Sequence, residues 1–235
     1  KLLIETRIVG GFDKLLAALG EEYEANAPES VGLSQYPNGI DVYKRLVRQM
    51  TTLNLSPEEI HQRGKAAVED ISKRMEAIRV QLGFEGTAQE FLQQLKTDPR
   101  FIAADAEEVE QRYLEYIRRI EPMLGEYFKT LPKAPYGVKR LPLAVEAGMT
   151  YGYYGEPSAA DPVGYYYYNA SNLSERSMVW AGGLIYHELL PGHHFHIATQ
   201  AENKSLQKFR QNSIDNAYTE GWAEYAASLA EEMGL

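Results

Sequence analysis

The sequence predicts a mostly α-helical fold with one small β-element, and three observations support this prediction. The chain of 235 residues is 44% hydrophobic and 24% charged, a balance typical of globular proteins. Apolar residues recur at helical spacing through most of the sequence. The exception is a tyrosine-rich stretch at residues 136–168, where residues 165–168 favour a strand with rings on both faces.

Residues 1–130 are predicted to form a helical N-terminal region. Helices are expected over residues 10–27, 40–51, 56–82, 87–96 and 106–130. Two of them begin at capping boxes, which pair Ser56 with Glu59 and Thr87 with Glu90. Pro122 is expected to kink the last helix of this region.

Residues 131–235 are predicted to form a second region, which begins where the composition shifts at Leu131-Pro132-Lys133-Ala134-Pro135. Residues 138–146 have strand character, and we expect residues 165–168 to form an edge strand. A helix is expected from about Glu175 into His187, capped by Asn172 or Ser174. Helical segments at 193–201 and 213–233 complete the region.

Histidines are concentrated in one short segment of the second region. Four of the five histidines lie between His187 and His196, and Glu188 directly follows the first. The chain has no cysteine, so a zinc ion would be held by imidazoles and carboxylates. A further carboxylate beside the metal can take a proton from water. The segment therefore predicts a site for one zinc ion per chain, with Glu188 as general base.

The spacing of these histidines requires a break in the helix that carries them. The familiar zinc-protease helix places two histidines four residues apart, but here that position is Pro191. The next histidines, His193 and His194, would lie roughly 9–10 Å further along an unbroken helix. Pro191 removes a helical hydrogen bond and Gly192 permits unusual backbone angles, so we interpret Leu190-Pro191 as a two-residue bulge. Both His193 and His194 remain candidates for the second ligand.

Two resemblances refine this assignment. Without the bulge, the segment resembles the zinc helix of thimet-oligopeptidase-like enzymes, which favours His193 over His194 and makes His196 a nearby polar residue. Residues Thr219-Glu220-Gly221-Trp222-Ala223 resemble the Asn-Glu-Gly-Phe-Ala segment of aminopeptidase-N-like enzymes, which implies that Glu220 is the third ligand. Glu224 follows one helical turn later and could orient an imidazole.

Tyrosines near the predicted metal site are candidates for stabilising an oxyanion. We assign Tyr167, together with Glu188 and His196, to the candidate catalytic residues. If residues 165–168 lie beside the metal, the backbone of that strand could also pair with an extended peptide. A partly wet strand that packs on one side is the structural alternative.

Charge and hydropathy restrict the possible partners. The net charge of −9 argues against nucleic acid. The sequence contains no apolar run long enough to span a bilayer and no N-terminal signal. Because the chain starts without Met and stops just after a predicted helix, we expect a fragment of a longer protein.

Several segments together resemble the bacterial family called domain of unknown function 885 (DUF885). These are Gly32-Leu33, Pro37-Asn38-Gly39, residues 51–61, 98–101, 164–169, 187–194 and 220–222. The resemblance implies a gluzincin-like helical zinc metallopeptidase whose C-terminal part is missing here. It also implies a periplasmic or cell-envelope protein, often a lipoprotein, although the cytoplasm remains an alternative.

These observations together predict a zinc-dependent peptide hydrolase. A zinc hydrolase of a non-peptide amide is an alternative that the same site would support. A catalytically inactive cell-envelope binding protein is a second alternative, although every residue type that the site needs is present. A ferritin-like dimetal protein is disfavoured because it needs two Glu-x-x-His motifs, and the sequence contains a single one, Glu58-Glu59-Ile60-His61.

Overall fold

The computed structural model describes residues 2–235, which form helices and one three-stranded sheet and confirm the predicted fold class. The α-helices are α1 (Val9–Ala18), α2 (Glu21–Ala25), α3 (Gly39–Thr51), α4 (Pro57–Gln81), α5 (Ala88–Thr97), α6 (Ala106–Tyr127), α7 (Leu143–Glu146), α8 (Ala181–Glu188), α9 (His193–Glu202), α10 (Lys208–Gln211) and α11 (Asn216–Glu232). The strands are β1 (Tyr136–Arg140), β2 (Gly152–Gly155) and β3 (Gly164–Tyr168).

The chain divides into two compact units, one ending at Pro57 and one spanning Glu58–Leu235. In the first unit, the helix predicted at 10–27 is two helices, because the backbone leaves helical geometry at Leu19 and is extended at Gly20. A π-helical segment, Ile4–Ile8, precedes α1. The helix predicted at 40–51 is present as α3.

In the second unit, the structure confirms the predicted start of α5 and the predicted end of α4. At the start of α5, Thr87 Oγ1 accepts a hydrogen bond from the Glu90 backbone, and the Glu90 carboxylate accepts one from the Thr87 backbone. Helix α4 ends at Gln81, just before Gly83, which adopts a positive φ of 71°. Pro122 lies inside α6, as predicted.

Helix α6 joins the core of the second unit and does not belong to a separate N-terminal region. Its buried face includes Ile120 and Tyr113, and the Tyr113 ring meets the Tyr166 ring edge-on at 5.2 Å between centroids. The helix packs against both α8 and β1. The boundary between the compact units therefore lies at Pro57, not at residue 130, because the apolar face of α6 is buried against elements from beyond that residue.

The sheet has the order β1-β3-β2, so β3 is its central strand and not the edge strand predicted from the sequence. Strand β3 pairs with β1 in parallel and with β2 antiparallel. Its side chains alternate between a buried face, with Tyr166 and Tyr168, and a half-buried face, with Tyr165 and Tyr167. Rings thus lie on both faces, as expected, but both backbone edges of β3 are already paired.

The strand predicted at 138–146 is also shorter than expected. Strand β1 ends at Arg140, and after Pro142 the chain turns into the short helix α7. Glu146, at the end of this helix, is only 3% exposed. Its carboxylate accepts two hydrogen bonds of 2.9 Å from Arg140 and one of 2.6 Å from the Ala170 backbone. This buried charge pairing bends the chain inward where the sequence favoured a continuing strand.

Helix α8 starts six residues later than predicted, at Ala181 instead of Glu175. Asn172 has a positive φ of 50° and makes no capping hydrogen bond, and Ser174 lies within a short 3₁₀ helix. The next residues are held in extended form because the Met178 backbone donates to the Phe101 carbonyl at 2.7 Å. This contact joins distant parts of the chain, so local sequence could not reveal it.

We expect the substitution Glu146→Ala to lower the free energy of unfolding by about 2–3 kcal/mol, because it leaves Arg140 and the Ala170 N–H without their buried acceptor. Urea denaturation of the whole chain would measure the change. Glu115→Ala, which removes an exposed carboxylate from α6, is the matched control and should change stability by less than about 0.5 kcal/mol. Equal effects of the two substitutions would contradict the role assigned to Glu146.

Candidate metal centre

The predicted helix break lies between α8 and α9. Helix α8 ends at Glu188, and α9 begins at His193. Between them, Leu189 and Leu190 are buried, and the peptide bond to Pro191 is cis. The connecting segment therefore occupies the core and holds the two helix ends together.

Gly192 allows these two helix ends to approach closely. A Cβ atom at this position would lie 1.7 Å from the carbonyl oxygen of His187, well inside the van der Waals contact distance. This contact turns α9 back onto the end of α8. As a result, the rings of His187 and His193 lie 4.6 Å apart between centroids, although six residues separate them in sequence.

Helix α11 brings a carboxylate to these two imidazoles. Asp215 caps the helix by accepting a hydrogen bond from the Tyr218 backbone at 3.1 Å. One turn into the helix, Glu220 Oε2 lies 3.5 Å from His187 Nε2 and 3.6 Å from His193 Nε2. The three candidate ligand atoms lie within 4.8 Å of one another.

These separations fit a tetrahedral metal ion. Two ligands that are each about 2.1 Å from a zinc ion, at a tetrahedral angle, are separated by about 3.4 Å. Both nitrogen–oxygen distances at Glu220 are close to this value. The donor set of two imidazoles and one carboxylate is also that of known catalytic zinc sites, which leave the fourth position to water or substrate. The atoms of His187, His193 and Glu220 are thus close enough to hold one metal ion together.

Glu224 contacts the outer side of the cluster. It follows Glu220 by one turn of α11, and its Oε1 lies 3.2 Å from His187 Nδ1. A carboxylate on Nδ1 fixes the orientation of the ring and directs Nε2 towards the metal position. The structure thus places Glu224 in the orienting position that the sequence suggested.

Burial favours the uncharged forms of His193 and Glu188. Burial, with a smaller contribution from His187, lowers the pKa of His193 to about 4, so its imidazole is neutral at neutral pH. Burial and the negative charge of Glu220 raise the pKa of Glu188 to about 7, while a backbone hydrogen bond from Tyr154 opposes the shift. A bound divalent cation would act in the opposite direction and favour the carboxylate form of Glu188.

His194, the competing candidate for the second ligand, does not reach the cluster. The ring is fully buried, with Nδ1 3.0 Å from the Tyr154 hydroxyl and Nε2 3.0 Å from the Ala134 carbonyl oxygen. Both ring nitrogens therefore bind protein groups. The structure brings His193, and not His194, to the other two ligands.

His196 and Tyr167 also lie apart from the cavity at the cluster. The His196 ring meets Tyr218 at 4.9 Å and lines a different cavity, of about 570 Å³, beside α9 and α11. The Tyr167 ring stacks on Tyr153 at 5.3 Å on the half-buried face of the sheet. In residues 2–235, the cavity at the cluster has a volume of about 350 Å³ and is lined by Gly152, Tyr153, Tyr154, His187, Glu188, His193, Ile197, Ile214, Thr219 and Glu220.

Sequence reasoning did not single out Tyr154, the tyrosine that lies against the metal ligands. Its ring stacks on His193 with 6.4 Å between centroids. In the antiparallel pair of β2 and β3, Tyr154 is opposite Tyr166. The alternation along a strand could have separated Tyr153 from Tyr154. It could not show which of the two faces the metal ligands.

We expect Gly192→Ala to destabilise the chain by at least about 2 kcal/mol, because the new methyl group collides with the His187 carbonyl and forces α8 and α9 apart. Gly183→Ala is the matched control, since Gly183 is an exposed position of α8 and the new Cβ has no neighbour within 4 Å. It should stabilise by about 0.5–1 kcal/mol. Urea denaturation would compare both variants with the wild type. A Gly192→Ala variant as stable as the wild type would contradict the close-approach explanation.

Comparison with known proteins places this chain among bacterial proteins without an assigned function. The fold is similar to the "putative lipoprotein from Colwellia psychrerythraea", with a TM-score of 0.90 and 30% identity over 99% of this chain and 40% of that one. It is also similar to a "putative lipoprotein of unknown function from Shewanella oneidensis", with a TM-score of 0.66 and 18% identity over 98% of this chain and 43% of that one. The present chain thus spans less than half the length of either protein.

No curated protein matches the sequence significantly. Residues 2–235 do match the family described as "Bacterial protein of unknown function (DUF885)". The resemblance found in the sequence motifs is confirmed, and the chain belongs to the DUF885 family.

Proposed function

We propose that this chain carries the metal-binding part of a zinc-dependent peptide hydrolase. The observation that carries the proposal is the convergence of His187, His193 and Glu220, with a buried carboxylate from Glu188 lining the same cavity. A purely structural histidine cluster would need neither the matching ligand separations nor the adjacent carboxylate with a raised pKa.

His187, His193 and Glu220 would hold one zinc ion per chain. When bound, zinc supplies Lewis-acid chemistry, because it acidifies water and polarises a carbonyl group. Glu224 keeps the Nδ1 side of His187 occupied, so the Nε2 side faces the site. The buried, neutral state of His193 means that no proton must be removed from this ring at neutral pH before it can act as a ligand.

Glu188 is the general base in this proposal. Its carboxylate takes the proton from the attacking water and delivers it to the amine that leaves. Burial, with a contribution from the negative charge of Glu220, raises the pKa of Glu188 to about 7 in the metal-free protein, so the carboxylate has a high proton affinity. The backbone hydrogen bond from Tyr154 holds the group in place.

Strand β2 is the element best placed to bind an extended peptide. It is an edge strand of the described sheet, and three of its four residues line the cavity at the cluster. An extended peptide can add to such an edge through backbone hydrogen bonds. This assignment transfers the strand-addition role expected of residues 165–168 to β2, because β3 is paired on both sides.

A cell-envelope location is part of the proposal. Both similar solved proteins are described as putative lipoproteins. Among residues 2–235, no helix is long and apolar enough to cross a bilayer.

Metal content is the first test of the proposal. We expect the dialysed wild-type chain to retain about one zinc ion, as measured by plasma mass spectrometry. His187→Ala, His193→Ala and Glu220→Ala should each lose the ion, because three protein ligands are needed to hold it. His61→Ala changes an exposed histidine on α4 and should retain it. Failure of the wild type to bind added zinc would refute the metal site.

Glu188→Gln separates hydrolysis from metal binding. We expect this variant to keep zinc and to lose peptide hydrolysis by a factor of about 10² or more, because the amide cannot accept the proton from water. A quenched peptide library incubated with the full chain would measure the activity, and Glu231→Gln, an exposed position on α11, is the control. A Glu188→Gln enzyme with wild-type activity would remove this residue from the mechanism. Cleavage of simple amides without cleavage of peptides would favour the non-peptide hydrolase.

A further inference from the structure

We propose that His194 and Tyr154 form a buried strut, a hydrogen-bonded pair that positions His193 and Glu188 without touching the metal. This inference rests on the proposed zinc site and assigns a role to the second histidine of the His193-His194 pair. His194 is fully buried, yet it is not one of the three converging residues. A buried polar side chain needs a physical reason, and its hydrogen bonds supply one.

The hydrogen bonds of His194 have only one consistent direction. The Ala134 carbonyl oxygen can only accept, so the proton of the neutral ring lies on Nε2. Nδ1 must then accept, and the Tyr154 hydroxyl donates to it over 3.0 Å. The strut thus runs from the Ala134 carbonyl through His194 to the hydroxyl of Tyr154 on β2.

The strut also fixes α9 along its length. His194 lies in the first turn of α9 and binds the carbonyl of Ala134. At the other end of the helix, the Glu202 carboxylate accepts hydrogen bonds from the backbone of Lys133 and Ala134, both at 2.8 Å. Two attachments to one short segment restrict sliding and rotation of α9. His193, the residue next to His194, is positioned with the helix.

Tyr154 extends the strut to both functional groups of the site. Its ring stacks on His193 with an interplanar angle of 29°, and its backbone hydrogen-bonds to Glu188. The position of one phenol therefore affects a metal ligand and the proposed general base together. With its hydroxyl donated to His194, Tyr154 is assigned to positioning and not to oxyanion stabilisation.

Gly164 provides independent evidence that the chain is built around this pair. A Cβ atom at Gly164 would lie 2.4 Å from His194 Nδ1 and 2.8 Å from the Tyr154 hydroxyl oxygen. A methyl group this close would push His194 Nδ1 and the Tyr154 hydroxyl apart and break the hydrogen bond between them. The first residue of β3 is thus a glycine at a place where a side chain would enter the strut.

The test compares Tyr154→Phe with Tyr165→Phe. Both remove one phenolic hydroxyl from the same sheet, but Tyr165 lies on the face away from the buried Tyr166 and Tyr168. Zinc affinity would be measured by competition with a chromophoric chelator, and ligand geometry by the visible spectrum of the cobalt-loaded chain. The melting temperature of the metal-free protein would be measured in parallel. Gly164→Ala is a second, independent variant of the strut.

We expect Tyr154→Phe and Gly164→Ala to weaken zinc binding by about tenfold, the lower end of the effect of groups that orient metal ligands directly. Their cobalt spectra should differ from the wild-type spectrum, while Tyr165→Phe should match the wild type in both measurements. A purely structural role would lower the melting temperature but leave zinc affinity and the cobalt spectrum unchanged.

The outcomes separate this inference from the proposed function. If the wild type binds zinc, and both strut variants bind it equally well with an unchanged cobalt spectrum, the strut is refuted and the zinc site stands. If the wild type binds neither zinc nor cobalt, the zinc site is refuted, and the positioning role proposed for the strut is refuted as well. Weakened binding in Tyr165→Phe as well would show a general effect of the sheet and would also refute the strut.

Discussion

The close contact between Gly192 and the carbonyl oxygen of His187 is the constraint on which the candidate site depends. A Cβ at that position would lie 1.7 Å from the oxygen, so a side chain would push α9 away from α8. Without this approach, His187 and His193 would lie too far apart to share an ion. Pro191 contributes the complementary effect, since a residue without an N–H cannot continue the hydrogen bonding of α8. The proline interrupts the helix, and the glycine lets the next one begin beside it.

The parts of the fold and site that depend on local chemistry could be predicted from the sequence. The capping box at Thr87, the end of α4 near Gly83 and the helix break at Pro191 each follow from residues within a few positions. Features that depend on distant partners could not be predicted in this way. The late start of α8 depends on the backbone contact of Met178 with Phe101. The central position of β3 depends on which strands flank it, a choice that the alternation of its own side chains does not reveal.

Within the site, the sequence could not decide whether His193 or His194 joins the cluster, because the answer also depends on distant residues. Both follow the break, and their spacing from His187 differs by a single residue. The distinction arises from what surrounds each ring: Glu220 from α11 meets one, whereas Ala134 and Tyr154 meet the other. All three partners are at least 26 residues away in sequence. Adjacent residues in the first turn of a helix point in different directions. Two adjacent histidines can therefore differ in role: His193 faces the candidate metal cluster, whereas His194 makes buried hydrogen bonds within the fold.

Small side chains on α11 favour the close packing that brings the third candidate ligand, Glu220, to the two imidazoles. Ala223, Ala226 and Ala230 are buried, and α11 packs against α8. Alanines at a helix contact allow the two axes to approach more closely than larger side chains would. Glu220 and Glu224 lie at this contact one turn apart, so a close approach brings both carboxylates to the single imidazole of His187, one at each ring nitrogen. Ala223 is fully buried, so a leucine at this position would have to displace its neighbours. The small buried side chains of α11 thus favour the close packing on which the positions of Glu220 and Glu224 depend.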